Sequence, residues 1–162
     1  MIPVEVDKWR EVVQIHRGPL DADLILAVIW QESSGDQWAY RYEPQYQYFV
    51  DVKSGKPLHR SHLSGAANRL EALRLLGSTE FNAQSASYGL MQVMGAVARE
   101  HDMHGWLTAL CDPNVGIKFG CKHLIGHYKR NGDDIDTALL RYNGGHEYPN
   151  KIAEKLRTIK GR

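Results

Sequence analysis

The sequence predicts a mainly α-helical fold in a single domain. Three observations carry this. Apolar residues recur at helical spacing in most segments between turn signals, and the period-two alternation of strands is nearly missing. The length of 162 residues suffices for one domain with a proper core and is short for two.

The first helix is predicted over residues 4–17, with Val6, Trp9, Val13 and Ile15 inward, and Gly18-Pro19 ends it. The next helix is unlike the others. From Leu24 to Trp30, seven apolar residues run without a break, and Gln31, Glu32, Ser33, Ser34 and Gly35 come after them. A helix that is apolar on every side is buried on most of them. Asp21 or Asp23 can cap its start, and Gly35 can end it in a left-handed conformation. Glu32 falls one turn after Val28 and two after Ile25, on their inward face. There the helix dipole and the apolar surroundings both disfavour the ionised carboxylate, so its pKa should rise. A carboxylic acid kept protonated near neutral pH is a proton donor. Taken alone, a glutamate near a helix end is more often an ordinary surface residue. Two stretches nearer the C-terminus shift that weight.

Residues 36–60 are rich in aromatics and poor in helical period, with Trp38, Tyr40, Tyr42, Tyr46, Tyr48 and Phe49 close together. A short strand is expected over 48–52 and a turn at Lys53-Ser54-Gly55-Lys56. The cluster suits two roles equally: a minor core under a long loop, or a wall of aromatic rings on which the C–H faces of sugars pack. A helix over 63–76 would turn Leu63, Ala66, Ala67, Leu70, Leu73 and Leu76 inward, with Gly77 stopping it and a helical turn within 78–86. Residues 89–101 read as a helix burying Leu90, Val93, Val97 and Ala98, and 106–110 as a short apolar piece. Asp112 caps and Pro113 starts a helix to about Arg130, closed by Asn131-Gly132. A short helix over 135–142 runs into Asn143-Gly144-Gly145, and Pro149 opens a final helix.

Composition excludes several classes. The formal net charge is +1, without the basic excess of a nucleic-acid binder. No apolar run approaches the ~18 residues of a membrane span, and the N-terminal stretch lacks the apolar core of a signal peptide. Cys111 and Cys121 read as free thiols rather than a disulfide framework. Cys121, His123 and His127, with Cys111 or His104, raise the thought of zinc. Their spacing fits no zinc module, and a histidine-rich helix surface is the commoner case, so no metal and no cofactor is expected.

Three separated stretches carry the chemistry: Glu32-Ser33, then Gly89-Leu90-Met91-Gln92, then Tyr142-Asn143-Gly144-Gly145. Each is weak alone. In this order they resemble the lytic transglycosylases of the soluble type, whose fold is like that of goose-type lysozyme. The resemblance implies a single lytic transglycosylase domain over 1–162, acting as a monomer on peptidoglycan glycan strands. It implies Glu32 as the sole catalytic acid and base, with Ser33 orienting it or the substrate. Gly89, Met91 and Gln92 would line the floor of the sugar cleft, and Tyr142 and Asn143 would sit close to Glu32. On residue type, the Tyr142 phenol could hold the carboxyl by a hydrogen bond, and the Gln92 and Asn143 amides suit N-acetyl and hydroxyl groups. The aromatic-rich stretch 36–80 lengthens the gap between the first two motifs beyond that of the compact bacterial members, and from it Tyr46 or Glu43 could reach the cleft.

The expected reaction breaks the β-1,4 bond between N-acetylmuramic acid and N-acetylglucosamine without water, closing a 1,6-anhydro ring. Goose-type lysozymes share the motifs but hydrolyse, and tend to carry an aspartate where this chain has Met94; Glu43, Asp51 or Glu80 could position a water instead. A non-catalytic wall-binding or virion protein is the third reading, against which a buried Glu32 counts. The missing signal peptide fits a phage endolysin made in the host cytoplasm and released to the periplasm or wall.

Overall fold

The computed structural model describes residues 1–161. Helix α1 (Val4–Asp7) breaks at Lys8-Trp9 and resumes as α2 (Arg10–His16). Val6 and Val13 are buried, but Ile15 is 71% exposed against expectation. Two residues beyond Val13 is about 200° around a helix, which turns Ile15 away from the core.

Helix α3 (Ala22–Ser33) is the axis of the core: every residue from Leu24 to Ile29 is buried. The Asp21 side chain caps it by accepting from the Asp23 N–H at 2.9 Å. The left-handed residue that ends it is Ser34 (φ 54°) rather than Gly35, and the Ser34 N–H bonds the Trp30 carbonyl at 3.2 Å. Gly35 is left-handed as well, and a Cβ there would stand 2.2 Å from the Glu5 carbonyl oxygen. Glycine thus lets α1 close over the end of α3.

A small antiparallel sheet, order β1-β2-β3, was not legible in the sequence. Its strands β1 (Tyr40–Tyr42), β2 (Ala86–Tyr88) and β3 (Val93–Met94) are too short to show a period. Arg41 pairs with Ser87, and Ser87 with Met94. The helix expected from Gly89 starts only at Gly95, as α5 (Gly95–Glu100). Gly89 (φ 69°) and Gln92 (φ 48°) are left-handed, which no right-handed helix accommodates. The segment is a tight turn between β2 and β3.

Helix α4 (Gly65–Gln84) is capped by Ser64 and broken at Gly77, as the turn signal predicts. Its buried face is not the expected one: Asn68, Ala72, Phe81 and Gln84 go in, while Leu70 and Leu73 are 62% and 38% exposed and only Leu76 of the expected leucines on the helix packs against a core. Polar anchors decide the orientation. The Asn68 side chain accepts from the Arg60 N–H at 2.8 Å. The Gln84 amide bonds both the N–H and the carbonyl of Val50, at 2.9 and 2.8 Å, as a strand neighbour would. The strand expected over 48–52 shrinks to one bridge, Val50 with Pro57. Phe49, Ala72 and Phe81 form a satellite core, with the Phe49 and Phe81 rings stacked at 4.7 Å.

A 3-10 turn (Leu107–Cys111) leads to α6 (Pro113–Arg130), α7 (Ile135–Asn143) and α8 (Tyr148–Ile159). Asp112 caps α6 as expected, accepting from the N–H groups of Asn114 and Val115. Helix α8 packs along α3, and α7 joins α6 and α8, so the C-terminal end of α3 emerges beside α7 and the sheet. No helix among the described residues is long and apolar enough to cross a membrane.

Candidate active site

Glu32 occupies the last turn of α3, and two neighbours fix where that turn points. The Ser33 hydroxyl lies 3.1 Å from the Ile29 carbonyl and 2.9 Å from the Leu90 carbonyl, and accepts from the Gly35 N–H at 3.2 Å. It pins the helix end to the turn between β2 and β3. Ser33 therefore places Glu32, and is not among the residues bordering the cleft.

The Glu32 carboxyl opens into a cleft of about 720 Å³ bounded by the sheet, α5, α6 and α7. This exceeds the cavities beside Trp9, Trp106 and Leu156, at about 340, 480 and 530 Å³. A second cavity of about 210 Å³ also reaches Glu32, bordered by Arg41, Asn143, Tyr148 and Lys151. Glu32, Arg41 and Asn143 thus border both hollows.

Burial pushes the Glu32 carboxyl above the usual carboxylate range. The Tyr148 hydroxyl, the Arg41 charge and the Asn143 amide pull it back down, and burial prevails. Glu32 Oε1 and the Tyr148 hydroxyl oxygen are both buried, and neither meets hydrogen-bond geometry with a partner among the described residues. The two groups nevertheless lie close enough for the Tyr148 hydroxyl to favour the Glu32 carboxylate. Buried polar atoms left so are uncommon, and these two lie together beside the smaller hollow.

The phenol hydroxyl that acts on the Glu32 carboxyl is that of Tyr148 rather than Tyr142. The Tyr142 hydroxyl is engaged elsewhere, donating to the Met91 carbonyl at 2.7 Å. Its ring borders the cleft close enough for the Glu32 charge to oppose its ionisation. Asn143 is exposed at the end of α7, borders both hollows and faces Glu32, as expected.

The second motif works mostly from behind. Met91 is 0% exposed, inside the core, so it touches no sugar. Gly89 does not border the cleft; a Cβ there would meet the Leu110 carbonyl oxygen at 2.4 Å, so its role is backbone fit. Gln92 does border the cleft, but its amide is spent on the fold. Its Oε1 accepts from the Ser87 hydroxyl at 2.9 Å, and its Nε2 donates to the carbonyls of Ala39 and Gly89 at 3.1 and 3.0 Å. The amide expected to bind N-acetyl groups braces the sheet instead.

The aromatic stretch divides between its two expected roles. Phe49 is core, while Tyr46 and Tyr48 form a cleft wall with ring centroids 6.0 Å apart. Tyr46 is held from behind by the Arg69 guanidinium on its carbonyl. Trp38, Tyr40 and Tyr42 face solvent, outside that wall.

Of the carboxylates weighed as water-holders, Glu43 alone borders the cleft, and its Oε1 meets Arg41 Nε at 2.5 Å. Glu80 is held by Arg99 at 2.8 and 3.0 Å, and Asp51 by Ser54 at 2.5 Å. Among the described residues no group of three or more His, Cys, Asp or Glu is placed to hold a metal. His123 instead lies 3.1 Å from His101 and 3.3 Å from His127. Arg130 is 3.3 Å from His127 Nδ1 and can only donate to it, so the neutral trio carries one direction of donation, from His127 through His123 to His101. His123 and His127 form the wall of the cleft opposite the sheet.

Sequence reasoning missed Tyr148, Arg41 and this histidine wall. Tyr148 had one signal: an aromatic at the first turn of an amphipathic helix, five residues after Asn143. Arg41 had none, since the strand that aims it is three residues long.

The family model described as Transglycosylase SLT domain matches residues 14–158. Comparison with curated proteins and with solved structures gives no match.

Proposed function

Since the chain belongs to the transglycosylase SLT domain family and is thus a lytic transglycosylase acting on peptidoglycan, we propose that Glu32 alone carries out both proton transfers of its reaction. Glu32 protonates the glycosidic oxygen, and the C1–O4 bond between muramic acid and N-acetylglucosamine breaks. The 2-acetamido oxygen of the muramic acid bonds to C1 and takes up the developing charge. The Glu32 carboxylate then removes the proton of the C6 hydroxyl, whose oxygen displaces the acetamido oxygen at C1. The product is a 1,6-anhydromuramic end, and Glu32 is again protonated.

One group acting as acid and then as base needs a proton affinity near the working pH. Burial moves Glu32 in that direction, up from the ordinary carboxylate range, and Tyr148, Arg41 and Asn143 oppose it. The observation that carries the reading is the pair of buried oxygens on Glu32, which borders both hollows, and on Tyr148, which borders the smaller one. Tyr148 offers a hydroxyl to whichever carboxyl oxygen is not holding the proton. Asn143 and the Tyr46–Tyr48 wall supply the polar and stacking contacts of a sugar strand.

A hydrolytic course is the competing reading, because Glu43 borders the same cleft. Its contact with Arg41 engages the carboxylate that would have to hold a water. Mass analysis of a digest of purified peptidoglycan separates the two. Anhydro ends, lighter than reducing ends by one water, are expected; reducing muramic ends throughout would establish hydrolysis.

We propose release from an infected bacterium, as a phage lysin acting at the wall, for the biological setting. The family match over residues 14–158 supports a wall glycan as the target in that setting. A gene lying outside any phage or prophage neighbourhood removes this setting without touching the chemistry.

A further inference from the structure

The sheet sets an arginine against the proposed acid. Side chains alternate along β1: Tyr40 packs edge-on against Tyr88, with centroids 5.4 Å apart, while Arg41 opposes Ser87 and borders the cleft with it. Arg41 borders both hollows, and so does Glu32. On its other side the guanidinium Nε reaches Glu43 Oε1 at 2.5 Å. The Glu43 N–H is itself tied to the Ser85 carbonyl at 2.8 Å, so the carboxylate stands on a fixed piece of backbone.

We propose that Arg41, steered by Glu43, is a positioning residue for Glu32, setting the balance between the acid and base halves of its cycle. The inference rests on Glu32 being the acid and base. When Glu32 gives up its proton it becomes a carboxylate in apolar surroundings, and a nearby guanidinium stabilises it. That makes Glu32 a readier donor and a weaker base. Glu43 draws the same guanidinium away, and so keeps the base half from failing.

The other charged and titratable groups around Glu32 do not duplicate this. On α8, Glu147 and Lys151 border the smaller hollow as opposite charges beside Tyr148. On α7, Tyr142 donates to Met91, and Arg141 borders the larger cleft. Across it stand Glu100 of α5 and His123 and His127 of α6. Arg41 is the charge whose influence on the Glu32 carboxyl is resolved, and it favours the ionised form.

The side chains of Arg41 and Glu43 are 66% and 34% exposed. Solvent therefore screens their charges, and the expected shifts are about half a pH unit. The test is the pH profile of the clearing rate at limiting peptidoglycan and low salt, for the parent, R41M, E43Q and the double variant. The alkaline limb reports loss of the Glu32 proton. It should move up by about half a unit in R41M and down by a similar amount in E43Q, with the double variant tracking R41M. A structural role would lower the rate and leave the limb in place. A limb that stays put or moves down in R41M overturns the inference, as does a double variant that tracks E43Q. E32Q run alongside separates the two claims. If E32Q still clears, the acid assignment fails and takes this inference with it; if E32Q is inactive while the R41M limb is unmoved, only the inference fails.

Discussion

The Tyr142 hydroxyl donates to the Met91 carbonyl at 2.7 Å and so ties α7 to the turn that carries Gln92. This bond separates two tyrosines that both stand near Glu32. Tyr142→Phe should lower stability by about 1 kcal/mol, the net worth of one internal hydrogen bond. Tyr148→Phe removes a hydroxyl with no partner among the described residues, so stability should hold while activity falls about tenfold or more. Urea denaturation alongside peptidoglycan clearing distinguishes the pair.

Gly89 is left-handed, with the Leu110 carbonyl oxygen where a Cβ would be. Gly89→Ala should cost about 2 kcal/mol or more, since strain and a backbone clash act together. Thermal unfolding checks this. An unchanged midpoint would mean that the turn between β2 and β3 is differently built.

Gln92 acts as a brace, with three bonds to Ser87, Ala39 and Gly89. Gln92→Ala should lower stability by about 1–3 kcal/mol, because it leaves partly buried partners unpaired. A sugar ligand would behave otherwise, raising KM with stability intact. Unfolding and clearing kinetics on one preparation decide between them.

Burial and neighbouring charge hold the His123 imidazole far below its ordinary 6.5, to about 3, and depress His101 and His127 as well. The unfolded chain takes up these protons near pH 6.5, and the folded chain resists them. Stability from the neutral trio is thus complete above about pH 6.5 and declines as the pH falls from there toward about 3. Protonation also turns donor against donor along the chain from Arg130 to His101. His123→Gln should flatten the fall in melting temperature between pH 6.5 and 4 relative to the parent.

The helices were legible because their punctuation is local. Asp112-Pro113, Asn131-Gly132 and Gly77 act within one turn, and the structure puts helix boundaries or a break at each of them. The unbroken apolar run from Leu24 to Trp30 likewise announced a buried axis with an acid, Glu32, just past its end. What escaped depends on contacts distant in sequence. Strands of two or three residues show no period, so Arg41 could not be aimed. Leucine spacing in α4 suggested an inward face, but the bonds of Asn68 to Arg60 and of Gln84 to Val50 turned another face in. The three motifs converge on one cleft, with Glu32, Gln92, Tyr142 and Asn143 bordering it. They could not tell a side chain that borders the cleft from one that holds it together: Ser33, Gly89 and Met91 do not border it, and Gln92 borders it with its amide engaged in the fold.

That one carboxyl does all the proton chemistry is tested most directly by Glu32→Gln. The substitution keeps shape and removes the transferable proton. Circular dichroism and the melting temperature should match the parent, while clearing of a peptidoglycan suspension should fall to background. A folded Glu32→Gln protein that clears as fast as the parent would contradict the assignment.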